Sequence, residues 1–254
     1  MGQLDNQTAI VTGGGTGIGF EVAKLFHQEG ANVVLSSRKE EVIVEAAGRI
    51  SSDQSRILCV RADIAEEQDV IELMQRTKQW SGQIDVLINN AGSNRINKPP
   101  EETSLAEWKS VMDTNVTGTF LCCREAGKVM IPQKSGRIVN ISSLSSFIVN
   151  KYFHGGSYEV SKSAINMLTK VFAVEWAPHN ITVNAVAPGY YGTQPNIDFF
   201  SKEEGLSEKV LDMIPMKKLG DLEELCGFLL YLATNKTGYM NGTTIPLDGG
   251  YSLW

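Results

Sequence analysis

The sequence predicts an α/β fold, a doubly wound parallel sheet of seven strands with helices on both faces. Short β-branched runs alternate with longer stretches of helical apolar spacing, which implies βαβ units with right-handed crossovers. The runs are continuously apolar, as strands buried on both faces require. A glycine-rich turn follows the first run at once, where such a sheet meets its ligand.

Thr8–Val11 is the first strand, and a helix through Ala23–Phe26 runs from the glycine turn to Gly30. Further strands are expected at Asn32–Ser36, Arg56–Val60, Ile84–Ile88, Arg137–Ile141 and Ile181–Val186, with a short last one at Thr243–Pro246. A polar helix with Ala and Val separates the second and third strands, and other helices are expected at about 66–80, 104–131, 157–177 and 221–233. No linker, repeat or low-complexity segment marks a second domain, so residues 1–254 read as one domain. The stretch 190–216 breaks the rhythm with Gly, Pro, Asn and paired aromatics, and reads as a substrate lid.

The 254 residues are 42% hydrophobic and 20% charged, enough for a large core. A net charge of -6 and the lack of a dense basic run argue against a nucleic-acid partner. Cys59, Cys122, Cys123 and Cys226 show no CxxC spacing, and with three scattered histidines no metal site is expected. Cys122 and Cys123 read as buried free thiols, which suits a reducing compartment. The first strand follows Met1 too closely for a signal peptide, Asn6 replaces the Ser/Thr of a myristoylation signal, and no apolar run has membrane-spanning length. A cytoplasmic protein is expected.

Thr12-Gly13-Gly14-Gly15-Thr16-Gly17-Ile18-Gly19 lies between the first strand and the first helix. There a pyrophosphate can meet free backbone N–H groups at a helix N-terminus. The TGxxxGIG spacing resembles that of the short-chain dehydrogenase/reductase family. The resemblance extends along nearly the whole chain, through Asn89-Asn90-Ala91-Gly92, Asn115, Ser142-Ser143, Tyr158-Glu159-Val160-Ser161-Lys162, Pro188-Gly189 with Thr193, and Asp248-Gly249-Gly250.

That resemblance implies a Rossmann fold, a nicotinamide cofactor and hydride transfer between a secondary alcohol and a ketone. Tyr158 and Lys162 are four residues apart, so they share a helix face. A free tyrosine, with a pKa of about 10, is a poor base, and a nearby ammonium favours its phenolate. Tyr158 is thus the expected acid/base. Lys162 tunes it and holds the nicotinamide ribose, Ser143 polarises the substrate oxygen, and Asn115 sits at a helix distortion and holds a water that links Lys162 to solvent. Ser143 lies 15 residues before Tyr158, two more than is usual in the family, which implies an enlarged loop. Ser145 would restore the usual spacing and is the alternative.

The expected cofactor site comprises Gly13, Gly15, Thr16, Gly17, Ile18, Gly19, Ser37, Arg38, Asp63, Ile64, Asn89, Asn90, Ala91, Gly92, Tyr158, Lys162, Pro188, Gly189 and Thr193. Ser37 stands where an acid would select NAD, and Arg38 next to it can hold a 2′-phosphate. NADP(H) is therefore favoured over NAD(H), although Thr16 replaces a basic residue found in many NADP-using relatives.

The substrate is a small carbonyl or alcohol. Gly92-Ser93-Asn94-Arg95 resembles the loop of gluconate 5-dehydrogenases, so Arg95 is a candidate for a substrate carboxylate. Phe147, Ile148, Tyr152 and Phe153 instead suggest an apolar wall. A 3-oxoacyl-carrier-protein reductase is the alternative enzyme: Lys134 fits it, whereas Val174 stands where many of those have arginine. A non-catalytic NADP(H)-sensing protein on the same fold is the alternative of another class, and the chain has no substantial C-terminal substrate domain for an epimerase. The resemblance also implies a homotetramer built through the helices at 104–131 and 157–177 and the C-terminal segment.

Overall fold

The computed structural model describes residues 2–151, 153–193, 196, 197, 200, 205–234, 236 and 238–253. The strands are β1 (Thr8–Thr12), β2 (Asn32–Ser37), β3 (Ile57–Arg61), β4 (Val86–Asn89), β5 (Gly136–Ile141), β6 (Ile181–Pro188) and β7 (Thr244–Leu247). All pair in parallel, in the order β3-β2-β1-β4-β5-β6-β7. Among the described residues the helices of eight or more residues are α1 (Gly17–Gln28), α2 (Glu40–Ile50), α3 (Glu67–Ser81), α4 (Leu105–Met112), α5 (Gly118–Gln133), α6 (Ser157–Trp176), α7 (Leu206–Met213) and α8 (Leu222–Ala233).

Both faces of the sheet are buried, and alternate strand residues serve opposite cores. Ala9 and Val11 join Val22, Phe26 and Leu229 on one face, while Ile10 joins Leu73, Met130 and Phe172 on the other. This is why the strands read as unbroken apolar runs. Pro246 lies in β7, an edge strand, where a missing N–H is tolerated.

The fourth strand starts later than expected, at Val86, because Gln133 draws Ile84 off the ladder: its amide donates to the Ile84 carbonyl at 2.9 Å and its carbonyl accepts the Ile84 N–H at 3.2 Å. The helix expected at 104–131 is divided by a π turn at Asp113–Thr117, and this is the distortion expected at Asn115. A capping box between Ser104 and Glu107 starts α4, and Gly118, packed against Ile64, opens α5. No described helix is long and apolar enough to cross a membrane.

Candidate active site

The strand order reverses between β1 and β4, and the loops leaving these two strands form the floor of a cleft. Thr12 pairs with Asn89 in register, so the glycine turn lies beside the loop after β4. Thr12 Oγ1 accepts the N–H groups of Asn90 and Ala91 at 3.1 Å each, and Asn90 Nδ2 donates to the carbonyls of Thr12 and Gly13 at 3.0 and 3.1 Å. A Cβ on Gly19 would sit 2.3 Å from the Gly13 carbonyl oxygen, and Gly13 itself has φ +65°. The turn therefore closes only with glycine at these two positions. Thr16, at the N-cap of α1, makes no side-chain cap bond, and the first turn carries no acid. Its leading N–H groups thus remain available to an anion, and the cleft fits a dinucleotide pyrophosphate.

Ser37, Arg38, Asp63, Ile64 and Gly92 line one end of this cleft. Ser37 Oγ donates to the Lys39 carbonyl at 2.8 Å, and Asp63 Oδ1 accepts the Ala65 N–H at 3.1 Å. Thr16, Gly17, Ile18, Asn90, Ala91, Ser143, Tyr158, Lys162, Pro188, Gly189 and Thr193 line the rest. Gly15 lies behind the turn against Val42. Asn89 is buried beneath the cleft, where Nδ2 donates to Asn140 Oδ1 at 2.8 Å and to Cys123 Sγ at 3.2 Å. Its side chain orders the core between β4 and β5 and does not line the cleft.

The catalytic candidates meet where β5 and α6 converge. A 3-10 turn at Leu144–Ser146 follows β5, and Ser143 Oγ accepts the Ser145 N–H at 3.2 Å. Ser143 and Tyr158 face each other across the cleft, and the Ser143 side chain eases ionisation of Tyr158, but burial dominates and raises its pKa. Lys162 is buried; its Nζ donates to the Ile141 carbonyl at 2.8 Å and lies 5.7 Å from the centroid of the Tyr158 ring. Burial lowers its pKa to about 8. Asn115 lies in the π turn, fully buried. Its Nδ2 donates to the Ser93 carbonyl at 3.2 Å and to Ser161 Oγ at 3.0 Å, and its Oδ1 accepts the Ser93 N–H at 2.7 Å. It fastens the loop after β4 to α6. A Cβ on Gly92 would lie 3.1 Å from Asn115 Oδ1 and 3.8 Å from Lys162 Nζ, so Gly92 sits between the two groups.

Ser142 and Ser145 are occupied elsewhere. Ser142 Oγ is within 2.7 Å of Asn166 Oδ1, and Ser145 Oγ accepts from Arg95 Nη2 at 2.9 Å and Asn150 Nδ2 at 3.0 Å. Of the three serines, only Ser143 lines both the cleft and the adjoining pocket beside Tyr158.

A pocket of about 270 Å³ adjoins the cleft and shares Asn94, Ser143, Tyr158, Gly189 and Asn196 with it. Arg95 lines it, as expected of a substrate residue, but its charge is already partnered: Nη2 lies 2.5 Å from Glu159 Oε1. Of the expected apolar wall, Phe153 lines the pocket and Ile148 packs beside it in the same cluster, whereas Phe147 is 49% exposed and Tyr152 lies outside the described residues. The residues between Ser143 and Tyr158 bring in Asn150, which is buried and whose Oδ1 accepts from the Tyr190 hydroxyl at 3.3 Å. Asn150, Glu159 and Ser161 were absent from the expected site; Ser161 and Glu159 carried a signal, through their places in the Tyr158–Lys162 motif, and Asn150 carried none. Part of the expected lid at 190–216 lies outside the described residues; within it, Tyr190 and Asn196 line the pocket, and Leu206 and Val210 of α7 pack with Leu144 and Tyr251.

A family model described as enoyl-(acyl carrier protein) reductase matches residues 13–252. The chain is 35% identical over 260 residues to galactitol 2-dehydrogenase (L-tagatose-forming) of Cereibacter sphaeroides, covering 99% of this chain and 97% of that protein. It is also 35% identical over 253 residues to glucose 1-dehydrogenase 2 of Bacillus subtilis (strain 168), covering 99% and 96%. The crystal structure of levodione reductase superposes with a TM-score of 0.91 at 28% identity, covering 98% of this chain and 99% of that one. Together with the switch-point cleft and the Ser143–Tyr158–Lys162 cluster, these matches establish that the chain belongs to the short-chain dehydrogenase/reductase family and is an NAD(P)-dependent oxidoreductase of CH–OH donors.

Proposed function

We propose that this chain interconverts a secondary alcohol and a ketone on a polyol or sugar, using NADP(H), with Tyr158 as acid/base. The observation that carries this reading is the placement of Ser143 and Tyr158 together where the dinucleotide cleft meets the adjoining pocket. The nicotinamide, when bound, supplies or accepts the hydride. Gly13 to Gly19 hold the pyrophosphate, Ser37, Arg38, Asp63 and Ile64 the adenosine end, and Pro188, Gly189 and Thr193 the nicotinamide end.

Ser143 holds the substrate oxygen by its hydroxyl. Tyr158 donates a proton to that oxygen in reduction and accepts one in oxidation. Lys162 hydrogen-bonds the nicotinamide ribose, and its ammonium, present below about pH 8, favours the phenolate. Asn115, beside Gly92 and Lys162, holds the water that returns protons to Lys162. The described part of the expected lid, Tyr190 and Asn196 at the pocket, covers the substrate and excludes water. Exposed Leu105, Phe120, Met167, Val171 and Val174 on α4, α5 and α6 support a homotetramer built through these helices.

Asn94, Asn97 and Asn196 around the pocket suit hydroxyl groups better than an acyl chain, and the galactitol and glucose dehydrogenases among the relatives support the same substrate class. NADPH and NADH oxidation against ketohexoses, keto-sugar acids, diketones and acetoacetyl thioesters tests this reading. Turnover of ketohexoses with NADPH is expected; turnover confined to the thioester would replace the reading with carrier-protein chemistry. Exposed Arg38 at the end of β2 supports the NADP(H) preference. Arg38→Asp is expected to lower kcat/KM for NADPH relative to NADH by about tenfold or more, since it removes a charge-assisted contact to the 2′-phosphate. An unchanged ratio would remove Arg38 from cofactor selection.

A further inference from the structure

We infer that Glu159 is a specificity-determining residue, which by pairing with Arg95 cancels the charge in the substrate pocket and turns the site toward uncharged polyhydroxylated substrates and away from carboxylated ones. The inference rests on the polyol–ketose reading above and deepens it.

Among the described residues lining the pocket, Arg95 carries the only charged side chain. A guanidinium open to such a pocket would recruit carboxylates. Here the group is held from several sides. Nη2 contacts Glu159 Oε1 at 2.5 Å and Ser145 Oγ at 2.9 Å, and the guanidinium carbon lies 5.4 and 5.5 Å from the ring centroids of Phe153 and Tyr158. The side chains of Arg95 and Glu159 are 17% and 9% exposed, so neither charge is well screened by water. Turning Arg95 toward a substrate carboxylate would strand the Glu159 carboxylate, buried and without its counter-charge.

Glu159 cannot easily follow. Its other oxygen, Oε2, accepts the Gly156 N–H at 2.8 Å at the start of α6, so the carboxylate is anchored to the helix that carries Tyr158. An anionic substrate would meet a fixed negative charge behind Arg95, whereas a neutral polyol meets Asn94, Asn97, Ser145 and an arginine presenting no net charge.

The test compares kcat/KM for 5-keto-D-gluconate with that for an uncharged ketohexose, in the wild type, Glu159→Gln, and Glu159→Gln combined with Arg95→Gln. Glutamine keeps an acceptor for the Gly156 N–H, and thermal melting checks that each variant is folded. Glu159→Gln is expected to raise the acid-to-neutral ratio about tenfold or more, and the added Arg95→Gln to reverse that gain. An unchanged ratio in folded Glu159→Gln, or a wild type that already prefers the keto acid, overturns the inference. Calorimetric titration decides the same question without turnover. D-Gluconate is expected to bind Glu159→Gln about tenfold more tightly than the wild type, and the wild type to bind D-glucitol at least as tightly as D-gluconate. Equal gluconate affinities, or tighter binding of gluconate than of glucitol by the wild type, would contradict it. If neither ketone is reduced by any form, the polyol–ketose reading fails, and the titration still decides whether Glu159 screens the pocket.

Discussion

Replacing Tyr158 by phenylalanine is expected to lower kcat by about 10²–10⁴-fold while leaving NADPH affinity within a factor of about two. The phenyl ring keeps its place in the cleft wall and its packing against Arg95, so the loss is confined to the hydroxyl beside Ser143. Its two neighbours in the cleft do not replace it. Lys162 Nζ is directed to the Ile141 carbonyl, and Ser143 has no adjacent base of its own. Steady-state kinetics and a fluorescence titration with NADPH check both halves. Turnover retained within tenfold would reject Tyr158 as acid/base.

Lys162→Met is expected to act in opposite directions on activity and on stability. Activity should fall by about 10²-fold or more, since the variant loses both the charge favouring phenolate and the donor to the ribose. The cofactor-free protein should nevertheless become more stable near neutral pH. Burial depresses the Lys162 pKa from 10.5 to about 8, which corresponds to roughly 3 kcal/mol of destabilisation while the group is ionised. The lost hydrogen bond to Ile141 returns about 1 kcal/mol of that, leaving a net gain of about 1–2 kcal/mol. The sign follows from proton binding: between pH 8 and 10.5 the unfolded chain holds this proton and the folded chain does not, so wild-type stability rises with pH across that window. The advantage of the variant should therefore be full below pH 8 and gone by about pH 10, where what is left of the burial penalty no longer exceeds the lost hydrogen bond. Denaturant melts at pH 7 and pH 10 measure it, and a variant less stable than wild type at pH 7 would show that Lys162 serves the fold as well as the chemistry.

What was legible in the sequence was mostly local. The glycine turn, the apolar strands and the Tyr158–Lys162 spacing each follow from neighbours a few residues apart, and their places in the sheet follow from the βαβ rhythm. What escaped depended on distant partners. The distortion at Asn115 was legible only through the family motif, since the apolar pattern of 104–131 continues unbroken across Asp113–Thr117; its partners, Ser93 and Ser161, were not, and where Asn115 bonds them the backbone widens into a π turn. Asn89 sits in a cofactor motif, yet its amide is claimed by Asn140, 51 residues away. The ion pair of Arg95 was not legible because its partner, Glu159, lies 64 positions on, beside Tyr158. Spacing from Tyr158 alone would favour Ser145, whereas the place of Ser143 two residues past Ile141 favours Ser143; in the structure Asn150 and Arg95 occupy Ser145.

The central claim is that this site moves a hydride directly between the cofactor and a carbinol carbon under control of Tyr158. The most direct measurement reduces a ketohexose with NADPH deuterated at the transferring carbon and follows the label by mass spectrometry of the polyol. The account predicts one deuterium on the new carbinol carbon with the wild type and no labelled product above background with Tyr158→Phe. A polyol formed without deuterium, or labelled equally by both proteins, would contradict it.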